Sequence, residues 1–211
     1  MKKIILLNGG RGAGKTDISN HLNELWLLPD ARCKDHLYVL TQKFFNISPE
    51  EFFEIYENRE LKETPMDRFA VTWKSYNKLC SVIPNFTRAM NDHQMYPLSI
   101  REAMIYVSEI VCKPTFGRDY FGRIRVESMT VDGTYIDDSA GFWEELPPLI
   151  KEIGQENIIL LRIRGRGDFE GDSRSFISDG VIDNTKNIRN DTTLDDLFSR
   201  VRECVYNFIE G

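Results

Sequence analysis

Gly9-Gly10-Arg11-Gly12-Ala13-Gly14-Lys15-Thr16 sets glycines, a lysine and a hydroxyl at the spacing G-x-x-x-x-G-K-[ST]. The chemistry of that spacing is the holding of a polyphosphate. Glycines let successive backbone N–H groups turn inward around an anion, and a helix that follows adds the positive end of its dipole. Lys15 has the reach for β- and γ-phosphates, and the Thr16 hydroxyl suits Mg2+, a hard cation that prefers oxygen ligands. These residues are the candidate site for a nucleoside triphosphate and its metal.

Three other groups could act on such a ligand. Arg162, Arg164, Arg166 and Arg174 gather around Gly165, Gly167 and Gly171. That composition suits a mobile lid, spanning about residues 164–176, whose guanidiniums fold over a transferred phosphoryl group. Lys15, Arg164, Arg166 and Arg174 are thus the candidate catalytic cations. Asp137 and Asp138 close an apolar run, where ligands of open α/β sheets bind. One aspartate could hold Mg2+ through water and the other contact an acceptor, with capping of a following helix as the competing role. The residue types do not divide these roles; the assignment carried forward gives the metal to Thr16 and Asp137 and the acceptor to Asp138. Lys34, Arg59, Arg68 and Arg101 are the cations available for an acceptor phosphate. No chemistry is assigned to His21, His36 or His93, and Trp26, Trp73 and Trp143 read as packing residues.

The elements that must position these groups follow from periodicity. Residues 2–7 (KKIILL) are a short apolar run feeding the glycine turn, which fits a buried strand. Helical spacing begins after Gly14, with Ile18, Leu22, Leu25 and Trp26 on one face and Pro29 as the stop. Residues 31–129 read as a mostly helical insertion that binds substrate. Within it, Ser48-Pro49 starts a helix, and Ser99 with Glu102 forms a capping box. "FGRDYFGR" at 116–123 is turn-rich or a helix start. Strand character returns at 133–138 and 157–164, separated by a segment of helix length ending in Gly154. The chain closes on a helix carried by Val201, Val205 and Phe208. The expected fold is α/β, a P-loop NTPase-like parallel sheet flanked by helices, with its core at about 1–30 and 130–211.

The chain has 211 residues, which allows one domain with an insertion, and a net charge of −6, which gives no global attraction for nucleic acid. Cys33, Cys80, Cys112 and Cys204 lack metal or disulfide spacing and read as reduced cytoplasmic thiols. No apolar stretch has membrane-spanning length. The partners expected are small-molecule nucleotides, with no nucleic acid and no membrane; a homodimer is left open.

One phosphate-binding loop serves kinases, GTPases and motor ATPases. A guanine-reading Asn-Lys-x-Asp is absent, and "YIDDS" lacks the glutamate that a hydrolase would set beside its strand-end aspartate. A small-molecule kinase needs cations on both sides of the transferred group and closure against water, and this sequence has candidates for each. A kinase of another small metabolite and a nucleotide-binding regulatory module without turnover are the alternatives.

At these residues the chain resembles the deoxynucleoside monophosphate kinases of tailed bacteriophages, P-loop nucleotide kinases. "KKIILLNGGRGAGKT" looks like the family's opening strand and loop. "CKDHLYVLTQKFFNI" is similar to its lysine-aspartate segment, and "YENRELKETP" resembles the arginine-bearing stretch that follows. By that likeness Lys34 and Arg59 face the monophosphate, Arg101 in "LSIREAM" matches a substrate arginine, and Asp138 matches the strand-end aspartate. Two residues further, where the family often has arginine, this chain has Ala140. "IRNDTTLDDLF" is similar to the segment near which the adenine of ATP lies, making Asn190 a nucleotide-binding candidate. The resemblance implies ATP- and Mg2+-dependent transfer of the γ-phosphoryl group to a deoxynucleoside monophosphate, in the cytoplasm of an infected bacterium.

Overall fold

The computed structural model describes residues 1–83 and 95–211. His93 lies outside them. In chain order the elements are β1 (Lys2–Asn8), α1 (Lys15–Trp26), α2 (Lys34–Phe45), α3 (Pro49–Glu57), β2 (Met66–Thr72), α4 (Trp73–Val82), β3 (Met95–Leu98), α5 (Ile100–Ile105) and α6 (Lys113–Phe116). They continue with α7 (Tyr120–Ser128), β4 (Gly133–Asp137), α8 (Leu146–Ile153), β5 (Ile158–Arg164), β6 (Thr185–Arg189) and α9 (Leu194–Glu210). The chain is α/β, and its contacts divide it into two compact units.

The first unit comprises Met1–Cys33, Asp119–Glu170 and Arg174–Gly211. It holds a four-stranded parallel sheet in the order β4-β1-β5-β6. β1 is apolar on both faces, as a central strand must be when both faces are covered. Ile5, Leu7, Ile136, Leu161 and Ile163 pack on one face with Ile18 and Leu22 of α1 and Leu197, Val201 and Val205 of α9. Ile4, Leu6, Tyr135, Ile158 and Leu160 occupy the other face with Leu146, Leu149, Ile177 and Ile182. Each buried aliphatic side chain contributes about 1.5–3 kcal/mol, so this alternation fixes the register and with it the heights at which the strand ends emerge.

Several expectations change here. β6 was not read as a strand, because in "TKNIR" only Ile188 is buried. Leu25 is exposed rather than on the packed face of α1, and Trp143 is 61% exposed rather than a packing residue. The helix expected across 139–154 is confined to α8, preceded by a 3-10 turn at Trp143–Glu145.

The second unit is Lys34–Arg118 with Gly171–Ser173. Its helices start where the sequence indicates: the Ser48 hydroxyl accepts from the Glu51 N–H at 3.2 Å, and Ser99 and Glu102 form the capping box. It also holds strands, β2 and β3 pairing antiparallel, where a helical segment was expected. Pro97 within β3 and the polar start of β2 hide that pair from a periodicity reading. α7, placed by the sequence with the insertion, belongs to the first unit, where Gly122 approaches the Glu145 carbonyl too closely to admit a β-carbon. The four cysteines are free thiols. Among the described residues no helix is long and apolar enough to cross a membrane.

Candidate functional site

The glycine loop joins β1 to α1 in the first unit. Gly12 and Gly14 have φ of 78° and 88°, left-handed values that disfavour side chains. Gly14 is the N-cap of α1 and supplies no capping side chain, and helix N-termini of this kind are where anions are commonly held. The Lys15 ammonium donates to the carbonyls of Gly9 and Gly10, both at 2.7 Å. These bonds lay the lysine along the loop, its charge beside the amides.

Two segments brace the loop from outside. Buried Asn190 donates through Nδ2 to the Ala13 carbonyl at 3.0 Å, and its own N–H donates to the Arg164 carbonyl at 2.7 Å. Its contact is with the loop's backbone, so its geometry is that of a brace. Residues 165–170, expected as lid, run against the loop: the Arg11 N–H donates to the Asp168 carbonyl at 2.6 Å, and the Asp168 N–H returns the bond at 3.2 Å. A β-carbon on Gly167 would lie 2.1 Å from the Arg11 carbonyl oxygen, and one on Gly10 would lie 2.3 Å from that of Asp168. These glycines allow the two backbones to touch.

The arginines of that segment diverge. Arg162 lies within β5, 2% exposed, paired with Asp179 at 2.5 Å, which removes it from the lid. Arg164 donates to the Asn187 side chain at 3.0 Å and sits over the Phe176 ring. Arg166 donates to the Thr192 carbonyl at 2.8 Å, and half-buried Arg174 packs its aliphatic stem on Gly141. As whole residues Arg164 and Arg166 are exposed.

Asp137 and Asp138 are adjacent, and strand alternation turns them to opposite sides. Asp137 is fully buried: its Oδ2 accepts from Arg125 Nε at 2.5 Å, while its Oδ1 accepts from the Ser139 N–H at 2.6 Å and the Ser139 hydroxyl at 2.5 Å. With both oxygens engaged, Asp137 does not have the geometry of a metal ligand, contrary to the sequence assignment. Asp138 accepts through Oδ2 from the Thr16 hydroxyl at 3.1 Å, and its Oδ1 is buried without a hydrogen-bond partner among the described residues. Neither aspartate caps a helix, since the next helical turn begins only at Trp143, with Phe142 as its N-cap. A hydroxyl and a carboxylate with a spare oxygen are hard donors suited to Mg2+. Among the described residues no group of three or more His, Cys, Asp or Glu could hold a metal ion, so a cation here would draw its remaining ligands from phosphate and water.

Arg125 was not singled out by the sequence. It is 1% exposed, and besides Asp137 it donates through Nη2 to Glu145 at 3.2 Å and lies 3.6 Å from the Cys33 sulfur. Burial opposes its charge, but Asp137, Cys33 and Glu145 together push its pKa up. Burial likewise pushes the Cys33 thiol up to about 12, so it stays protonated and unreactive.

In the second unit, Lys34 and Arg101 belong to a cluster whose other members the sequence reading passed over. Lys62 stands 3.3 Å from the centroid of the Tyr56 ring, and Lys34 lies 5.4 Å from it. Arg101 Nε donates to Glu63 at 2.9 Å. Burial would push the Tyr56 phenol up, yet Lys34 and Lys62 outweigh it and bring the pKa to about 8. The Lys62 ammonium is lowered, chiefly by burial, with Tyr56 opposing and Arg101 and Lys34 adding to the shift. Cations outnumber carboxylates in this cluster, as an anion site requires. Arg59 is exposed and makes no hydrogen bond or ion pair with the described residues, and Arg68 pairs with Glu51.

No protein-family model matches the chain, and a search of curated proteins gives no match.

Proposed function

We propose that the chain is an ATP- and Mg2+-dependent kinase of deoxynucleoside monophosphates, built on a P-loop NTPase-like fold. The observation that carries this reading is the glycine loop between β1 and α1, with Lys15 laid along it and Thr16 facing Asp138. The loop amides and Lys15 hold the β- and γ-phosphates of ATP. Thr16 and Asp138 would hold Mg2+, which when bound neutralises charge between those phosphates. This moves the metal role from Asp137 to Asp138.

Lys34, Lys62 and Arg101 bind the acceptor's phosphate, with Tyr56 among them. Arg166 and Arg174 stabilise charge on the transferred group when ligands are bound. The acceptor oxygen is already a nucleophile, so the residues need supply only positioning and electrostatic stabilisation. The choice of a deoxynucleoside monophosphate over another small phosphorylated acceptor follows the family resemblance of the sequence.

The test is incubation with ATP, Mg2+ and each deoxynucleoside monophosphate in turn, with chromatography for two diphosphate products. Tight ATP binding with no monophosphate consumed would overturn the kinase reading in favour of a regulatory module.

A further inference from the structure

Asp138 can serve a cation only if its carboxylate is held toward Thr16, and the hydrogen bond from the Thr16 hydroxyl at 3.1 Å is a weak hold by itself. Asp138 sits at a strand end, where a slip of one residue would carry it to the other side. The residues on either side of it are fixed by one buried carboxylate. Asp137 Oδ1 accepts from both the N–H and the hydroxyl of Ser139, closing a turn around residue 138. Asp137 Oδ2 is anchored in turn by Arg125, whose other end is tied to Glu145 beside α8. One residue further, the Ala140 carbonyl accepts from Asn8 Nδ2 at 3.1 Å, joining the same turn to the end of β1.

Stability alone does not explain this cluster. Taking an arginine and two carboxylates out of water costs several kcal/mol per ion, and well-packed apolar residues often serve stability as well. What an ionic cluster supplies is direction: the guanidinium fork reaches Asp137 through Nε and Glu145 through Nη2, tying the two carboxylates in one arrangement.

We propose that Arg125 is a positioning residue for the magnesium site, acting through Asp137 and the 137–139 turn to hold Asp138 toward Thr16. It touches neither metal nor nucleotide. This rests on the reading of Thr16 and Asp138 as the metal-holding pair. Partners behind a metal ligand commonly change metal affinity about 10–100-fold when removed. Asp137 does not touch the Asp138 carboxylate; it acts on it through the backbone of the 137–139 turn.

The experiment measures binding of a non-hydrolysable ATP analogue by calorimetry across a Mg2+ series, with no turnover required. The proteins are wild type, Arg125→Lys, Ser139→Ala, Asp138→Asn and the Arg125→Lys/Asp138→Asn double variant. Arg125→Lys keeps the charge but loses the fork. It should raise the Mg2+ concentration for half-maximal enhancement of binding about tenfold, while metal-free affinity stays within twofold of wild type. Ser139→Ala should give a smaller rise in the same direction. The double variant should be no worse than Asp138→Asn, because both changes act on one carboxylate.

A fall in melting temperature with an unchanged Mg2+ requirement, or effects that multiply in the double variant, would overturn the proposal and leave the kinase reading intact. If Arg125→Lys does not fold, Ser139→Ala decides: an unchanged Mg2+ requirement overturns the proposal. A wild-type protein whose nucleotide binding ignores Mg2+ would remove the metal-holding pair itself, and the proposal with it.

Discussion

The Thr16 hydroxyl donates to the Asp138 carboxylate at 3.1 Å, joining the first turn of α1 to the end of β4 across 122 residues of chain. Its neighbour Asp137 is turned the other way and satisfied by Arg125 and Ser139. The two aspartates therefore separate by experiment. Asp138→Asn should lower phosphoryl transfer about 10²–10³-fold, the usual scale for a group aimed at developing charge, with little change in melting temperature. Asp137→Asn should cost about 3–5 kcal/mol of stability, because it leaves Arg125 buried with less compensation. Denaturant unfolding and turnover measured on both variants check this; a reversed pattern would return the metal role to Asp137.

Lys15 lies against the carbonyls of Gly9 and Gly10. On the proposed reading its ammonium is the loop's charge for a terminal phosphate. Lys15→Ala should reduce turnover by at least about 10²-fold and leave the far-ultraviolet circular dichroism unchanged. Near-normal transfer in this variant would refute the loop's catalytic role.

Gly167 combines φ of 73° with a near contact to the Arg11 carbonyl. A methyl group at that position cannot fit unless the two-residue bridge between Arg11 and Asp168 opens. Gly167→Ala should therefore weaken ATP binding through displacement of the glycine loop, although residue 167 bears no ligand group. Gly180, also at positive φ (79°) but with open space around it, is the control. Gly180→Ala carries only backbone strain and should leave ATP affinity unchanged. Equal losses at both positions would show that strain, not the bridge, is responsible.

The parts legible in the sequence are those specified by neighbouring residues. β1, the glycine loop and α1 follow one another without a gap, and the caps at Ser48 and Ser99 act within three residues. Side-chain direction at the strand end was not legible: adjacent aspartates have the same chemistry, and the packing of Tyr135 and Ile136 on opposite faces, which turns them to opposite sides, depends on elements distant in the chain. Arg125 carries no signal, since a buried arginine in "YFGRIRVES" reads like the surface charges around it. β6 escaped because an edge strand with one buried residue has no period to detect. The arginine-rich loop was read from composition, which says nothing of its backbone bridge to Arg11.

Tyr56 gives the pH prediction. Lys34 and Lys62 hold its phenol at about 8 against an ordinary value of 10, even though burial acts the other way. A depressed folded-state value means that the phenolate is bound more tightly by the native chain than by the unfolded one. This stabilisation is complete above pH 10, where both states are ionised, and is lost as pH falls through about 8. For an anionic acceptor the consequence is opposite in sign, because the phenolate takes up the positive charge of Lys34 and Lys62 that the acceptor needs. Affinity for a nucleoside monophosphate should therefore fall as pH rises through about 8. In Tyr56→Phe the near-ultraviolet phenolate signal should lose one tyrosine with that midpoint, and the loss of acceptor affinity through the same range should disappear. Wild type and Tyr56→Phe with the same phenolate titration up to pH 10 would show that the cluster does not act on Tyr56.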